Sequence, residues 1–194
     1  MKLDVIISGV GGQGILSIST VIGEAAVRKG LYLKQAEVHG MSQRGGEVQS
    51  HLRISDQPIY SDLLQKGKAN LIISIEPMEG LRYLPFLNPD GWIITNTKPY
   101  VNIPNYPPIE TILDEVKKQP KHIIIDASDI AVKVGSPLSM NMVMLGAASV
   151  FIPIDFSDLE NAIRTIFGNK GDKVVDLNLA ALRAGREFSI SLRQ

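Results

Sequence analysis

Residues 9–14, GVGGQG, place four glycines in six positions between an apolar run and a stretch of helical period. Gly9, Gly11 and Gly14 match G-x-G-x-x-G, with Gly12 and Gln13 completing the turn. Such a turn can bind an anion, because bare backbone amides at a helix N-terminus, reinforced by the helix dipole, favour a phosphate or carboxylate. A dinucleotide site also asks for an acidic side chain about 20 residues further on, to hold a ribose. Lys34 occupies that place and Glu37 comes later, beyond the expected strand, so the nucleotide pattern is incomplete. Two readings stand. Either the turn touches an anion or cofactor, with the Gln13 amide in reach of whatever docks, or the glycines only permit a tight strand-to-helix turn and close packing.

A second chemical concentration is EVHGMSQRGGEVQSHLR, residues 37–53. Gly40, Gly45 and Gly46 loosen its backbone, while Glu37, His39, Gln43, Arg44, His51 and Arg53 supply more hydrogen-bonding groups than a connector needs, the pattern of a recognition loop. Arg44 beside two glycines can present a planar fork to a carboxylate or phosphate. It can equally pair with Glu37 or Glu47 and hold the loop.

Other chemistries are poorly supplied. The absence of cysteine excludes disulfides, thiolate-held zinc, cysteine-ligated iron-sulfur clusters and a cysteine nucleophile. The three histidines, His39, His51 and His122, form no metal-ligand pattern, and His122 reads as an ordinary strand-edge residue. Asp126 and Asp129 follow a strand, where α/β domains bind ligands, but capping a helix is the favoured reading. Met140, Met142 and Met144 suit packing. No serine nucleophile elbow or Walker lysine occurs.

The elements that must carry these residues alternate along the chain. Residues 3–8 read as a buried strand, and residues 15–29 as a helix with Ile15, Ile18 and Ile22 on one face, stopped by Gly30. Residues 31–36 suggest a second strand, and 47–54 a third, with Val48, Ser50, Leu52 and Ile54 on one face. Then come a strand at 70–75, a short helix at 78–87, a turn at 88–91 (NPDG), a strand at 92–95 and a surface excursion at 98–108 holding four prolines. A helix at 109–118, a strand at 122–125 and a tightly packed helix at 141–151 follow, the last because Gly146, Ala147 and Ala148 permit close approach. Ser157 with Glu160 reads as a capping box, and Asp172 as the cap of a final helix, 173–186. This alternation predicts one three-layer α/β/α, Rossmann-like domain over residues 1–194, with a mostly parallel but mixed sheet because 47–60 resembles a hairpin.

At 194 residues the chain can bury a sizeable core, and its zero formal charge gives no electrostatic reason to expect nucleic acid or an anionic membrane. No apolar run reaches the ~18 residues of a membrane helix, and the apolar run after Lys2 is too short for a signal segment, so a cytoplasmic location is expected.

Taken together, GVGGQG after an N-terminal strand, AEVHGMSQRGGEVQSHLRIS, EPMEGLRYLPFLNPDG and NMVMLGAAS resemble the gamma-type domain of 2-oxoacid:ferredoxin oxidoreductases, in order across residues 3–150. KVVDLNLAALRAG adds a weaker tail match, and EVHGMSQRGG is most similar to the indolepyruvate, or arylpyruvate, branch. The resemblance implies a small subunit that holds no cofactor alone. A larger partner would carry thiamine diphosphate and iron-sulfur clusters and convert an aryl 2-oxoacid and coenzyme A into acyl-CoA, carbon dioxide and reduced ferredoxin. By position it assigns Gly9, Gly11, Gly12, Gln13 and Gly14 to a cofactor-facing turn, and Glu37, His39, Met41, Gln43, Arg44, Gly45 and Gly46 to a substrate or subunit interface. One departure is visible: where the family often has a Lys before the helix at 141, this chain has Ser136-Pro137-Leu138-Ser139-Met140. The rival reading is a free-standing nucleotide enzyme, NAD-dependent or ATP-adenylating. The missing cysteines disfavour its adenylating form, which usually adds zinc-binding CxxC pairs or a catalytic Cys.

Overall fold

The computed structural model describes residues 1–40 and 45–193. β1 (Lys2–Val10) is buried at every residue after Lys2, and it lies inside a six-stranded sheet of order β2-β3-β1-β4-β5-β6. On one side of it β4 (Ala69–Ser74), β5 (Leu87–Asn96) and β6 (His122–Ile125) run parallel to β1. On the other, β3 (Glu47–Ser55) is antiparallel to both β1 and β2 (Tyr32–His39). The mixed sheet is as expected, but the hairpin is β2–β3 and not residues 47–60. The two strands pair from Tyr32 opposite Ser55 to His39 opposite Val48, so the segment between them is the hairpin connection.

Helices cover both faces. Val5 and Ile7 of β1 pack with α1 (Ile15–Arg28), α4 (Ala127–Lys133), α5 (Met140–Ala148), α6 (Phe156–Phe167) and α7 (Asp172–Ser191). Ile6, Ile72 and Ile93, pointing the other way, meet Tyr83 and the Val116 of α3 (Ile109–Lys117), behind α2 (Pro77–Arg82). Each such Ile or Leu removed from water stabilises the fold by roughly 1.5–3 kcal/mol.

α5 is buried from Asn141 to Ala148, including Met142 and Met144, as packing residues should be. It crosses α7 at two glycines. A Cβ on Gly146 would lie 1.9 Å from the Leu182 carbonyl oxygen, and one on Gly185 would lie 2.0 Å from the Val143 carbonyl oxygen. The helices therefore touch backbone to backbone, and the sequence's expectation of close approach holds.

Local expectations fared unevenly. Asp126 caps α4 by accepting the Asp129 N–H at 2.9 Å. Ser157 is no cap: α6 starts at Phe156 with Asp155 before it, and Glu160 instead accepts from Arg183 Nε at 2.6 Å. Asp155 makes no cap bond either, because Lys29 claims its carboxylate at 2.7 Å. Gly171 precedes α7, so Asp172 is its first residue and acts on the dipole rather than as a cap. The helix expected at 78–87 breaks after Arg82 into a 3-10 turn at Leu84–Phe86. The NPDG turn is a bulge inside β5: its register against β4 jumps between Leu87 and Trp92, and Asn88 Oδ1 accepts the Asp90 N–H.

His51 and Arg53, grouped by sequence with the recognition loop, belong to the far end of β3. Arg53 Nε donates to buried Asp4 at 2.8 Å and its Nη1 to the Ser61 carbonyl at 2.9 Å. His51 Nδ1 accepts the Leu64 N–H at 2.9 Å, and its ring stands edge-on to Phe86. That bond fixes the Nε2–H tautomer, and burial together with nearby Arg53 lowers the imidazole pKa. Both side chains tie down the irregular segment 56–68.

Candidate functional site at the carboxyl edge of the sheet

In an open α/β sheet, ligands meet the ends where parallel strands finish. Here that edge gathers the glycine turn, the ends of the β2–β3 hairpin, the start of α2 and the proline-rich segment after β5. A cleft of about 570 Å³ at the opposite end is lined by Met1, Asp4, Arg53 and Tyr60, but its main charges already neutralise each other.

The turn is internally held. Gln13 Oε1 accepts the Val10 N–H at 2.8 Å, and the Gln13 N–H returns to the Val10 carbonyl at 3.1 Å. The Gln13 side-chain oxygen therefore closes the turn, which leaves the NH2 end of that amide for a docked group. Gly14 enters α1 in the left-handed region at φ 80°, directly beneath Asn141, whose Nδ2 donates to the Gly14 carbonyl at 3.2 Å. A Cβ at Gly9 would strike Gln13 Oε1 at 2.8 Å, whereas one at Gly12 would meet nothing within 4 Å. Gly9 and Gly14 thus serve packing and turn geometry, and Gly12 faces open space.

The two sequence-level features do meet. The Gly11 N–H donates to the Gly46 carbonyl at 2.9 Å, joining the turn to the end of the loop. Gly11, Gly12, Gly14 and His39 line one cleft of about 340 Å³. On the other side of the turn a cleft of about 420 Å³ is lined by Gly12, Gln13, Ser17, Ser139, Asn141 and Lys170, among others. Glu37 lies in β2, not beyond it, and its carboxylate accepts from Gln35 Nε2 at 2.8 Å and faces His39 Nε2 at 3.2 Å. Met41, Gln43 and Arg44 lie outside the described residues, as does any pairing of Arg44 with Glu37 or Glu47.

The antiparallel strand bears on the nucleotide alternative. In a dinucleotide site the acid that holds the ribose ends the parallel strand beside β1. Here β3 stands between, which carries Glu37 two strand spacings, ~9–10 Å, from β1.

Sequence reasoning missed a third group on this edge. Glu76, 1% exposed, caps α2 by accepting the Glu79 N–H at 2.9 Å, and it also accepts the Tyr100 N–H at 3.2 Å and the Tyr106 hydroxyl. Arg82 Nε reaches Glu79 at 2.9 Å and Glu47 at 3.5 Å, and the Tyr83 hydroxyl donates to Glu47. Burial raises the Glu79 pKa against the opposing pull of Arg82. Burial and the Glu47 bond likewise raise that of the Tyr83 phenol. A local signal did exist, since Glu before Pro at 76–77 reads as a cap with Pro at the first helical position. The tyrosines come from a distant segment that no local pattern ties to it.

Several large apolar side chains are exposed on the same edge, notably Leu138 at 95% and Val101 at 67%, with Leu16, Tyr100 and Ile103. No cysteine exists to hold an iron-sulfur cluster. Among the described residues no group of three or more His, Asp and Glu could hold a metal ion. No helix among them is long and apolar enough to cross a membrane.

Comparison with known proteins fits this geometry. The family model for pyruvate ferredoxin/flavodoxin oxidoreductase matches residues 4–188. An Archaeoglobus fulgidus protein named indolepyruvate oxidoreductase subunit IorB is 40% identical, over 100% of this chain and 98% of its own. The pyruvate oxidoreductase subunit PORC of Thermotoga maritima superimposes with a TM-score of 0.75 at 24% identity, covering 96% of each chain. The 2-oxoglutarate:ferredoxin oxidoreductase of Magnetococcus marinus, solved with 2-oxoglutarate, coenzyme A and succinyl-CoA, does so at 0.77 and 23% identity, over 98% of this chain and 31% of that one. The last two likenesses speak for the fold, the first two for descent: this chain belongs to the pyruvate ferredoxin/flavodoxin oxidoreductase family.

Proposed function

We propose that this chain is the small subunit of an aryl-2-oxoacid:ferredoxin oxidoreductase, with indolepyruvate-type acids as substrate. The observation that carries this reading is the full-length kinship to an indolepyruvate oxidoreductase subunit. In the complex, a larger subunit supplies thiamine diphosphate and iron-sulfur clusters, takes the oxoacid and coenzyme A to acyl-CoA and carbon dioxide, and passes electrons to ferredoxin. This chain contributes a wall. Its carboxyl edge faces the partner, with Gly9, Gly11, Gly12, Gln13 and Gly14 on one strip and Glu37, His39, Gly45 and Gly46 on the next; by sequence Met41, Gln43 and Arg44 are assigned to the same interface. The bond between Gly11 and Gly46 supports treating the two strips as one surface.

Exposed apolar side chains around that edge support a protein partner, since such groups leave water when subunits join. The cleft holding Ser17, Ser139, Asn141 and Lys170 offers hydroxyls, an amide and one ammonium, a set suited to the polar chain and phosphates of coenzyme A. The location is cytoplasmic, where ferredoxin and coenzyme A are at hand.

The test is reconstitution. The purified chain is mixed with a larger subunit carrying both cofactors, and reduction of a viologen or ferredoxin is followed with indolepyruvate, phenylpyruvate and pyruvate. Activity that needs both chains and prefers the aryl acids is expected. Turnover by either chain alone, or tight binding of NAD or ATP by this one, overturns the reading.

A further inference from the structure

The segment after β5, residues 97–108, leaves the sheet and crosses the carboxyl edge as a strap. Its four prolines deny it the hydrogen bonds of a helix or strand, so side chains must fix it. Near its middle the Tyr100 N–H donates to Glu76 at 3.2 Å, and further on the Tyr106 hydroxyl donates to the same oxygen. Between those points Asn102 Nδ2 donates to the Gly45 carbonyl at 2.6 Å, and a Cβ on Gly45 would lie 3.9 Å from the Tyr100 ring. Gly45 directly follows residues 41–44, and its neighbour Gly46 holds Gly11.

From these contacts we infer that Glu76 is a positioning residue: its carboxylate latches the strap, and the strap sets the Gly45–Gly46 end of the recognition loop against the glycine turn. The chain of contacts is continuous, from Glu76 to Tyr100 and Tyr106, from Asn102 to Gly45, and from Gly46 to Gly11. Glu76 is suited to the task. It is almost wholly buried, and its two oxygens accept from three donors, two of them backbone N–H groups that cannot turn away. A carboxylate can satisfy all three, whereas a carboxamide cannot. That the loop matters to turnover rests on the proposed function; that Glu76 holds it does not.

The test uses Glu76→Gln and Asn102→Ala. Gln can give its one oxygen either to the Glu79 N–H or to the two strap donors, so Tyr106→Phe, which removes only the strap hydroxyl, is read beside it. Asn102→Ala cuts only the link from strap to Gly45. Amide exchange on the full chain is expected to rise about tenfold in residues 97–108 and 45–48 for Glu76→Gln, the loss of one hydrogen bond to a charged group. For Asn102→Ala the rise is confined to 45–48. In the reconstituted complex both variants should raise KM for the oxoacid or coenzyme A more than they lower kcat, with urea midpoints near that of the unsubstituted chain. Unchanged exchange in the strap of both Glu76→Gln and Tyr106→Phe refutes the latch, whatever the complex does. A loosened strap with unchanged 45–48 exchange and unchanged KM refutes the positioning of the loop. If Glu76→Gln fails to fold, Tyr106→Phe, which removes only the hydroxyl bond to Glu76, gives the strap reading, and Asn102→Ala gives the loop reading. A complex inactive with the unsubstituted chain counts against the proposed function alone, because the exchange measurements still decide the latch.

Discussion

Replacing Gly146 by Ala tests the close helix crossing that seats this edge. By helix propensity alone Gly→Ala in α5 should stabilise by about 1 kcal/mol. Packing opposes it: the new Cβ would stand 1.9 Å from the Leu182 carbonyl oxygen, 2.8 Å from its carbon and 3.0 Å from the Arg186 nitrogen, all backbone. No rotamer change relieves that contact, so α7 must retreat by about 1 Å along its length, forfeiting packing at Leu179, Ala181 and Leu182. Overpacking of this kind costs about 3 kcal/mol, the upper end of its usual range, which leaves a net loss of about 2 kcal/mol. For a domain of this size that lowers Tm by about 4–8 °C. Gly185→Ala meets the mirror contact at 2.0 Å and should cost as much, but the double variant should lose less than the sum, since one displacement opens room for both methyls. Gly168→Ala is the control: nothing lies within 4 Å of its Cβ and its φ is −57°, so it should be neutral or slightly stabilising. Urea titration of the four variants gives the answer. A Gly146→Ala chain as stable as the parent, or a double variant with fully additive losses, refutes the close-contact argument.

The other perturbations are more local. Asp4→Ala strands the Arg53 guanidinium at the far end of β3 and should cost about 3–5 kcal/mol by urea titration, because a partly buried charge loses its partner. His51, with its pKa lowered, stays neutral in the fold while the unfolded chain takes up a proton below about 6.5. The fold keeps its full stability above that pH and loses some of it as pH falls further, and His51→Asn should flatten this part of the stability–pH curve. Arg44→Ala should leave the urea midpoint nearly unchanged yet impair the reconstituted complex; loss of the fold would instead make Arg44 structural.

What the sequence disclosed was what neighbours in sequence decide. The strand, glycine turn and helix of residues 2–28, the Asp126 cap and the small residues of α5 each follow from contiguous types, and each is found. The Ser157 cap failed because a long-range pair, Lys29 with Asp155, helped fix how the chain enters α6. The place of β3 between β1 and β2 depends on pairings as far apart as residues 2 and 55, which no local periodicity encodes. The same holds for the site. The meeting of turn and loop was expected only through family resemblance, and the role of Glu76 was hidden because its donors arrive from 24 and 30 residues away.

The bond from the Gly11 N–H to the Gly46 carbonyl is made of main chain alone. No side chain supplies either atom of that bond, and proline at position 11 abolishes it outright by removing the hydrogen; side-chain identity enters only through the strap contacts that seat Gly45 beside it.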